Sequence, residues 1–503
     1  MILPEWTISE LQEKMESGEL TARRLAELYL ERINAVDKNG PVLNSVIELN
    51  PDALEIADRL DAERQAGKVR GALHGIPIFI KDNIDTHDQM QTTAGSLALE
   101  GNIPAKDAFI VRQLRKAGAM ILGKTNLSEW ANFRGKRSVS GWSSRGGLTR
   151  NPHALDRSAS GSSSGSGVAV AANLCVAAIG TETDGSIISP AQTNGIVGIK
   201  PTLGLLSRSG IIPIAHSQDT AGPMARTVAD AAILLGALTR LDERDPATRL
   251  SKKRGLSNYT RFLDRNGLEG ARIGIARSMA GTNPRILKIF EHCIEVMKHL
   301  GAVIIDPANV PNFDKFSKTE LEVLHYEFKA DLNKYLKKLD GQARVHSMEE
   351  VIRFNEENEV SVMPYFGQEH MIAAQEKASL RDKKYRDALA KNHRLTRKDG
   401  IDSAMRKHKL DALVVPSGGP AWLIDLVNGD SINWDMESTS PAAVAGYPHI
   451  TVPAGYLFGL PVGISFFAKA WQEPALIKFA YAFEQATQFR RQPRFLPTAT
   501  LNP

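Results

Sequence analysis

Short apolar runs, each three to five residues long, recur along this 503-residue chain and are separated by segments with helical spacing. An uninterrupted apolar run of that length is typical of a strand that is buried on both faces. Strands that alternate with helices predict an α/β fold built on one large sheet. The runs lie at residues 76–80, 119–123, 176–180, 272–276, 303–305, 412–415 and 449–452.

Two segments depart from this alternation. Residues 7–66 have a helical pattern that starts with capping-type residues at Thr7 and Ser9, and residues 312–410 are polar, charged and helical in pattern. Residues 135–167 are rich in Ser, Gly and Arg, but neither they nor residues 312–410 have linker composition sustained enough to force a domain boundary. We therefore expect a single domain over residues 1–503, with a helical segment at 1–66 and a helical insertion over the sheet at 312–410.

Composition limits the partners of the chain. Its 62 Lys and Arg residues face 57 Asp and Glu residues, and no basic stripe with interleaved aromatic residues stands out, so we expect no nucleic-acid partner. No apolar run reaches 18 residues, which predicts no membrane span. The first residues carry Glu5 and Glu10 and no apolar leader segment, which favours a cytoplasmic location.

Cysteine and histidine usage predicts no metal site. Cys175 and Cys293 both lie in apolar surroundings, so they are interpreted as small buried hydrophobes rather than as a disulfide or metal ligands. His325 and Glu327 are close on a predicted helix but lack the spacing of a zinc-binding helix. We expect neither a metal nor a cofactor.

The stretch from Ser158 to Gly167 consists almost entirely of serine and glycine. A flexible linker is disfavoured because the apolar residues 168–174 follow without a polar spacer. The interpretation as a phosphate-binding loop is also disfavoured, because no lysine follows at the required position and the glycines lack the spacing of a dinucleotide-binding loop. The residues alone leave a catalytic loop as a third, open alternative.

Ser186 lies in a second stretch, residues 180–190, which follows an apolar run. Ser189 and Pro190 are typical of the N-cap and first residue of a short helix, so Ser186 is expected in a tight turn just before that helix. Free backbone N–H groups and the positive end of the helix dipole would suit a developing oxyanion there. Taken alone, the pattern is better explained by an ordinary strand-to-helix turn.

Two lysines, Lys81 and Lys124, each lie at or near the end of a predicted buried strand. A lysine in that position often extends its amine to solvent. If the amine is buried instead, desolvation lowers its pKa and leaves a neutral base. Lys81 is the preferred candidate for such a base, and Lys124 is its rival.

Taken in order, these stretches resemble the amidase signature family. The resemblance runs from about residue 5 to 490 and is densest at 74–235. It implies a large mixed, mostly parallel sheet sandwiched between helices, and amide hydrolysis without a cofactor. The matching blocks are residues 74–77, 81–83, 122–126, 158–167, 180–187, 198–202, 217–223, 446–453 and 459–463.

The resemblance also implies catalytic roles. The family uses a Ser–cis-Ser–Lys triad, which the matching motifs assign to Ser186 as nucleophile, Ser162 as bridging serine and Lys81 as base. Lys124 is then structural. A hydroxyl both donates and accepts, so Ser162 can relay a proton between the other two groups. The oxyanion donors implied are the backbone N–H groups of Thr183, Asp184 and Gly185, with that of Ser186 adjacent.

Asp184 stands where most of the family has glycine, which makes the chain similar to the bacterial peptide amidase branch. That likeness implies hydrolysis of a C-terminal peptide amide to a carboxylate and ammonia, with no obligatory protein partner. Asp184, Tyr326 and Phe328 are the residues expected to contact the substrate. The alternatives are the glutaminase subunit of an amidotransferase, a general aryl or aliphatic acylamidase, and a catalytically silent binding protein on the same fold.

Overall fold

The computed structural model describes residues 3–339, 341, 343–432, 435–436 and 438–501. In these residues eleven strands form one sheet, and two short strands form a separate hairpin. The strands in chain order are β1 Val46–Leu49, β2 Pro77–Lys81, β3 Met120–Thr125, β4 Trp142–Ser143, β5 Gly147–Leu148, β6 Ala177–Glu182, β7 Val197–Lys200, β8 Thr220–Ala225, β9 Arg272–Ile275, β10 Val303–Ile305, β11 Ala412–Pro416, β12 His449–Leu457 and β13 Leu460–Phe467. The order across the large sheet is β1-β3-β2-β6-β8-β7-β12-β13-β11-β9-β10.

The predicted α/β fold with a large mixed sheet is confirmed. Parallel pairing joins β2 to β3 and β6, and β9 to β10 and β11. The other six pairings are antiparallel, a larger share than the sequence predicted. One reason is the two-residue turn Phe458–Gly459, which joins β12 to β13 and leaves no room for a parallel crossover.

Helices flank the sheet. Residues 312–410 are helical where they are regular, as the pattern predicted. Whether the chain forms one domain stays a prediction. The α-helices are Ile8–Glu16, Ala22–Arg32, Ala53–Gln65, Phe109–Lys116, Ser164–Ala171, Ile188–Thr193, Val228–Leu238, Ser251–Arg254, Pro284–His299, Ser317–Leu336, Met348–Glu357, Glu359–Val362, Glu369–Gln375, Lys383–His393, Asp402–His408, Ser440–Ala445 and Glu473–Thr487, and π-helices span Ile33–Lys38 and Arg394–Ile401.

Two local predictions need correction. The segment 1–66 is not wholly helical, because β1 lies within it and pairs with β3 at the edge of the sheet. A four-residue edge strand is too short to show a pattern of its own. The short helix Ile188–Thr193 begins before the predicted N-cap Ser189, because the carboxylate of Glu182 binds the backbone N–H groups of Ile187 and Ile188.

The sheet centre is apolar and closely packed. Every residue of β2, β3, β6 and β8 is buried, and so is every residue of the helix Ser164–Ala171 that packs near them. Cys175 and Cys293 are buried and unpaired, as predicted, and burial raises the pKa of each thiol to about 12. Among the described residues, no helix has the length and apolarity that crossing a bilayer would require.

Candidate active site

Neighbouring parallel strands β2 and β6 end at the same edge of the sheet. Lys81 is the last residue of β2 and Glu182 the last of β6. Ligands of α/β sheets bind beyond the carboxyl ends of such strands. The serine-rich loop reaches this edge because the helix that follows it, Ser164–Ala171, packs against β6 and β2.

The amine of Lys81 is fully enclosed, with no exposed surface. It donates to Ser162 Oγ at 2.8 Å and to Thr181 Oγ1 at 2.9 Å, with Ser163 Oγ at 3.2 Å and the Thr181 carbonyl at 3.3 Å. Burial lowers the pKa of Lys81 to about 7, although the carboxylates of Asp219 and Glu182 act in the opposite direction. A large fraction of the amine is therefore neutral near pH 7 and able to accept a proton.

The serine loop presents Ser162 to this amine through an unusual backbone. The peptide bond between Gly161 and Ser162 is cis, as the resemblance implies. The Ser162 carbonyl accepts from the backbone N–H of Ser128 at 3.1 Å. A Cβ atom at position 161 would lie 2.2 Å from Ser128 Oγ, so any residue other than glycine would require the Ser128 side chain to move.

Ser186 occupies the turn between β6 and the helix Ile188–Thr193. Gly185 makes that turn with a φ of +75°, a conformation that favours glycine. The backbone N–H of Ser163 donates to the Ser186 carbonyl at 3.2 Å, which ties the turn to the serine loop. Ser186 is buried, with only 8% of its surface exposed.

The same turn carries the predicted oxyanion donors. No acceptor in the described chain takes the backbone N–H of residues 183–186. The turn is held from its other side, because Thr183 Oγ1 donates to Asp219 Oδ1 at 2.5 Å and Gln218 Nε2 donates to the Thr183 carbonyl at 3.2 Å. Free N–H groups on a fixed turn can stabilise a tetrahedral oxyanion.

The amidase family profile matches residues 24–477 of this sequence. The chain belongs to the amidase family. This amidase is 41% identical over 504 residues to a probable amidase of Arabidopsis thaliana, covering 98% of this chain and 92% of that protein. It resembles the crystal structure of the peptide amidase of Stenotrophomonas maltophilia with a TM-score of 0.93 and 50% identity, over 97% of this chain and 98% of that one.

This amidase is also similar to one of the subunits of a glutamyl-tRNA(Gln) amidotransferase, from Symbiobacterium thermophilum. The two are 34% identical over 480 residues, covering 94% of this chain and 95% of that protein. The family and these neighbours make the chain a hydrolase of the amidase class.

Lys124, the rival base, is buried elsewhere. Its amine donates to the Ile84 carbonyl at 2.6 Å and to Thr92 Oγ1 at 2.8 Å. Burial lowers the pKa of Lys124, and the nearby carboxylates of Asp82 and Asp85 oppose that shift. No hydrogen bond links Lys124 to Ser162 among the described residues, which fits a structural role.

Asp184 does not cap its own turn. Its carboxyl group is in hydrogen-bonding contact with Ser440, Thr439 and Glu320, and burial raises its pKa. Its Oδ1 atom is buried and has no hydrogen-bond partner. Buried acceptors normally have a partner, so this atom next to the oxyanion turn is a candidate acceptor for a ligand N–H group.

The expected substrate contacts of Tyr326 and Phe328 stay predictions. Phe328 is fully buried and packs edge-on against Phe133, with ring centroids 5.2 Å apart. The Tyr326 hydroxyl donates to Asp382 at 2.7 Å, away from the triad residues. Both side chains hold the helix Ser317–Leu336 in place, and that helix brings Glu320, rather than either aromatic residue, to Asp184.

A cavity of about 640 Å³ adjoins the site. Thr181, Thr183 and Asp219 contribute to its wall, whereas Lys81, Ser162 and Ser186 do not. Thr181, Glu182 and Asp219 were not predicted from the sequence, although Glu182 and Asp219 lie inside the matching blocks. Acidic residues in otherwise apolar or small-residue blocks were the available signal.

Three neighbouring side chains carry atoms of the kind that bind metal ions. Ligand atoms of His216, Glu327 and Asp331 all lie within 4.8 Å of one another. The His216 ring is 2.7 Å from Asp331, and Glu327 accepts from the Tyr385 hydroxyl at 2.7 Å and from the Ser217 N–H at 2.9 Å. Because these ligand atoms already have partners, the group is interpreted as an ion-pair network.

Proposed function

We propose that this amidase hydrolyses C-terminal peptide amides to the free acid and ammonia through an acyl-enzyme on Ser186. The observation that carries the proposal is the Lys81 amine, which is buried, has a pKa of about 7 and donates to Ser162 Oγ at 2.8 Å. A neutral amine next to a relaying hydroxyl is the arrangement that a Ser–Ser–Lys triad needs.

In the acylation step, Ser186 Oγ attacks the carboxamide carbon and forms a C–O bond. The hydroxyl proton of Ser186 passes to Ser162, whose own proton passes to neutral Lys81. The backbone N–H groups of residues 183–186 hold the oxyanion. Collapse breaks the C–N bond, and the proton returns through Ser162 to the leaving nitrogen, which departs as ammonia.

Water then completes the cycle. It attacks the acyl-enzyme while its proton follows the same relay to Lys81. Breakage of the bond to Ser186 returns the proton to Ser186 Oγ and releases the carboxylic acid. Each half-reaction uses the lysine first as base and then as acid, so the triad ends as it began.

Asp184 supports the assignment of the substrate class. Its unpartnered Oδ1 atom can accept the backbone N–H of the last residue of a peptide amide. A carboxylate there would also repel the carboxylate of a free peptide acid. The 50% identity to a peptide amidase points to the same class.

The test is ammonia release by the purified chain alone. We expect release from N-blocked peptide amides, weaker release from aliphatic and aryl amides, and none from the Ser186→Ala variant under the same conditions. Release from glutamine only when an amidotransferase partner is added would favour the glutaminase function instead. Equal turnover of all amides would leave a general acylamidase, and labelling of folded Ser186→Ala by a fluorophosphonate would move the nucleophile to another serine.

A further inference from the structure

The helix Ser317–Leu336 places a second carboxyl group at the oxyanion turn. Glu320 lies in the first turn of this helix and is only 8% exposed. Its Oε1 atom accepts from Gln218 Nε2 at 3.0 Å, and the same amide nitrogen lies 3.2 Å from the Thr183 carbonyl. Glu320 is thus connected to the turn that carries the predicted oxyanion donors.

Glu320 is also in hydrogen-bonding contact with the carboxyl group of Asp184. Two ionised carboxylates only accept hydrogen bonds, so such a contact requires one proton on the pair. Burial favours the singly protonated pair, because two negatively charged carboxylates in contact repel each other strongly when little water surrounds them. The charged groups that act on Asp184 from other elements are Lys200 and Glu182, while Ser440 and Thr439 supply uncharged contacts.

We infer that Glu320 is a specificity-determining residue that acts through Asp184. In its acid form Glu320 donates to one oxygen of Asp184, which fixes that carboxylate so that Oδ1 faces the substrate and accepts its backbone N–H. Glu320 does not touch the reacting atoms and is a positioning residue. The inference rests on the proposed function, since it assumes that Asp184 recognises a peptide amide.

Glutamine is the informative substitute at this position. Its side-chain carbonyl can accept from Gln218, and its amide nitrogen can donate to Asp184, so Glu320→Gln reproduces both hydrogen bonds without a titratable proton. Glu320→Ala reproduces neither. If Glu320 only stabilised the fold, its loss would lower kcat/KM for both substrates by the same factor. The ratio of the two kcat/KM values would then stay unchanged.

The experiment measures kcat/KM for an N-blocked peptide amide and for a simple aliphatic amide. We expect Glu320→Ala to lower the peptide-to-aliphatic ratio about tenfold, the usual scale for a hydrogen bond to a charged group. Glu320→Gln should keep the ratio within about threefold of the parent enzyme. Adding Glu320→Ala to Asp184→Gly should cause no further fall, because Asp184 is the residue through which Glu320 acts.

Glu322 gives a matched control on the same helix, because it pairs with Lys377 and Lys384 away from Asp184, and Glu322→Gln should leave the ratio unchanged. An unchanged ratio in active Glu320→Ala would overturn the inference, and so would a Glu320→Gln variant as impaired as Glu320→Ala. If the parent enzyme releases no ammonia from any peptide amide, it is the proposed function that fails.

Discussion

Burial of the Lys81 amine lowers its pKa to about 7, against the opposing effect of the Asp219 and Glu182 carboxylates. Only the neutral amine can accept a proton, so kcat/KM should rise with pH through about 7 and level off above it. A pH–rate profile with a non-titrating amide substrate checks this. Activity that falls over the same interval would mean that a protonated group, not a neutral amine, is required.

The two buried lysines should respond differently to removal. Lys81→Ala should lower kcat by a factor of about 10² to 10⁴, the usual contribution of a general base, while the variant remains folded. Lys124→Ala should act mainly on the free energy of unfolding, because it removes a buried cation that acts on the carboxyl groups of Asp82 and Asp85. Kinetics and urea denaturation of both variants separate these effects, and the reverse ranking would transfer the base to Lys124.

For single residues, the sequence could propose roles only where a residue lies within a recognisable motif. Ser162, Ser186 and Lys81 belong to blocks whose order along the chain is distinctive. The contact between Glu320 and Asp184 could not be predicted from the sequence, because it depends on how the helical insertion at 312–410 packs and not on any local pattern. The pattern also could not show whether Tyr326 and Phe328 face the site, since a helix pattern does not say which side chain does so.

Among the elements, the hairpin of β12 and β13 depends on a turn with two left-handed residues. Phe458 has a φ of +54° and Gly459 a φ of +78°, which is the geometry of a type I′ turn. A Cβ atom on Gly459 would meet no other atom within 4 Å, so Gly459→Ala tests the backbone cost alone. We expect a loss of about 1–2 kcal/mol in the free energy of unfolding, with activity unchanged.

Urea denaturation measures this loss, and Gly341→Ala is the control. Gly341 has no left-handed φ and open surroundings, so its replacement should change the free energy of unfolding by less than about 0.5 kcal/mol. Equal effects at both positions would mean that the turn conformation is not the cause.

The elements found from sequence were those with continuous apolar runs. The strands β7, β8 and β13 were not predicted, although each is wholly buried. They contain glycine together with proline or lysine, which local propensity disfavours, and they are strands because neighbours on both sides complete their hydrogen bonds. Tertiary context of this kind cannot be deduced from a window of residues.

Across the whole molecule, the sheet divides into two parts that are each continuous in sequence. Strands from residues 46–225 occupy one side and strands from residues 272–467 the other, and they meet where β7 pairs with β12. The residues of the proposed triad lie in the first part, whereas Thr439 and Ser440, which contact Asp184, lie in the second. The exposed segment around Asp264 and Arg265 connects the two.

This division predicts the behaviour of a split enzyme. Residues 1–264 alone should release no ammonia, because they lack the partner strand of β7 and the contacts of Asp184. Co-expression with residues 265–503 should restore activity, measured on the co-purified pair. Ammonia release by residues 1–264 alone would show that the second part is dispensable for the chemistry.

The burial of the Lys81 amine also affects how the protein can be coupled chemically to a support. Lys81, Lys124 and Lys200 have no exposed surface, whereas many other lysines are exposed. Reagents that couple proteins to beads or dyes through primary amines prefer uncharged nitrogen, and burial lowers the pKa of Lys81 to about 7, so chemistry alone would favour its reaction at neutral pH. Since no such reagent can reach it, attachment should occur on the exterior, and an immobilised preparation should keep Lys81 unmodified.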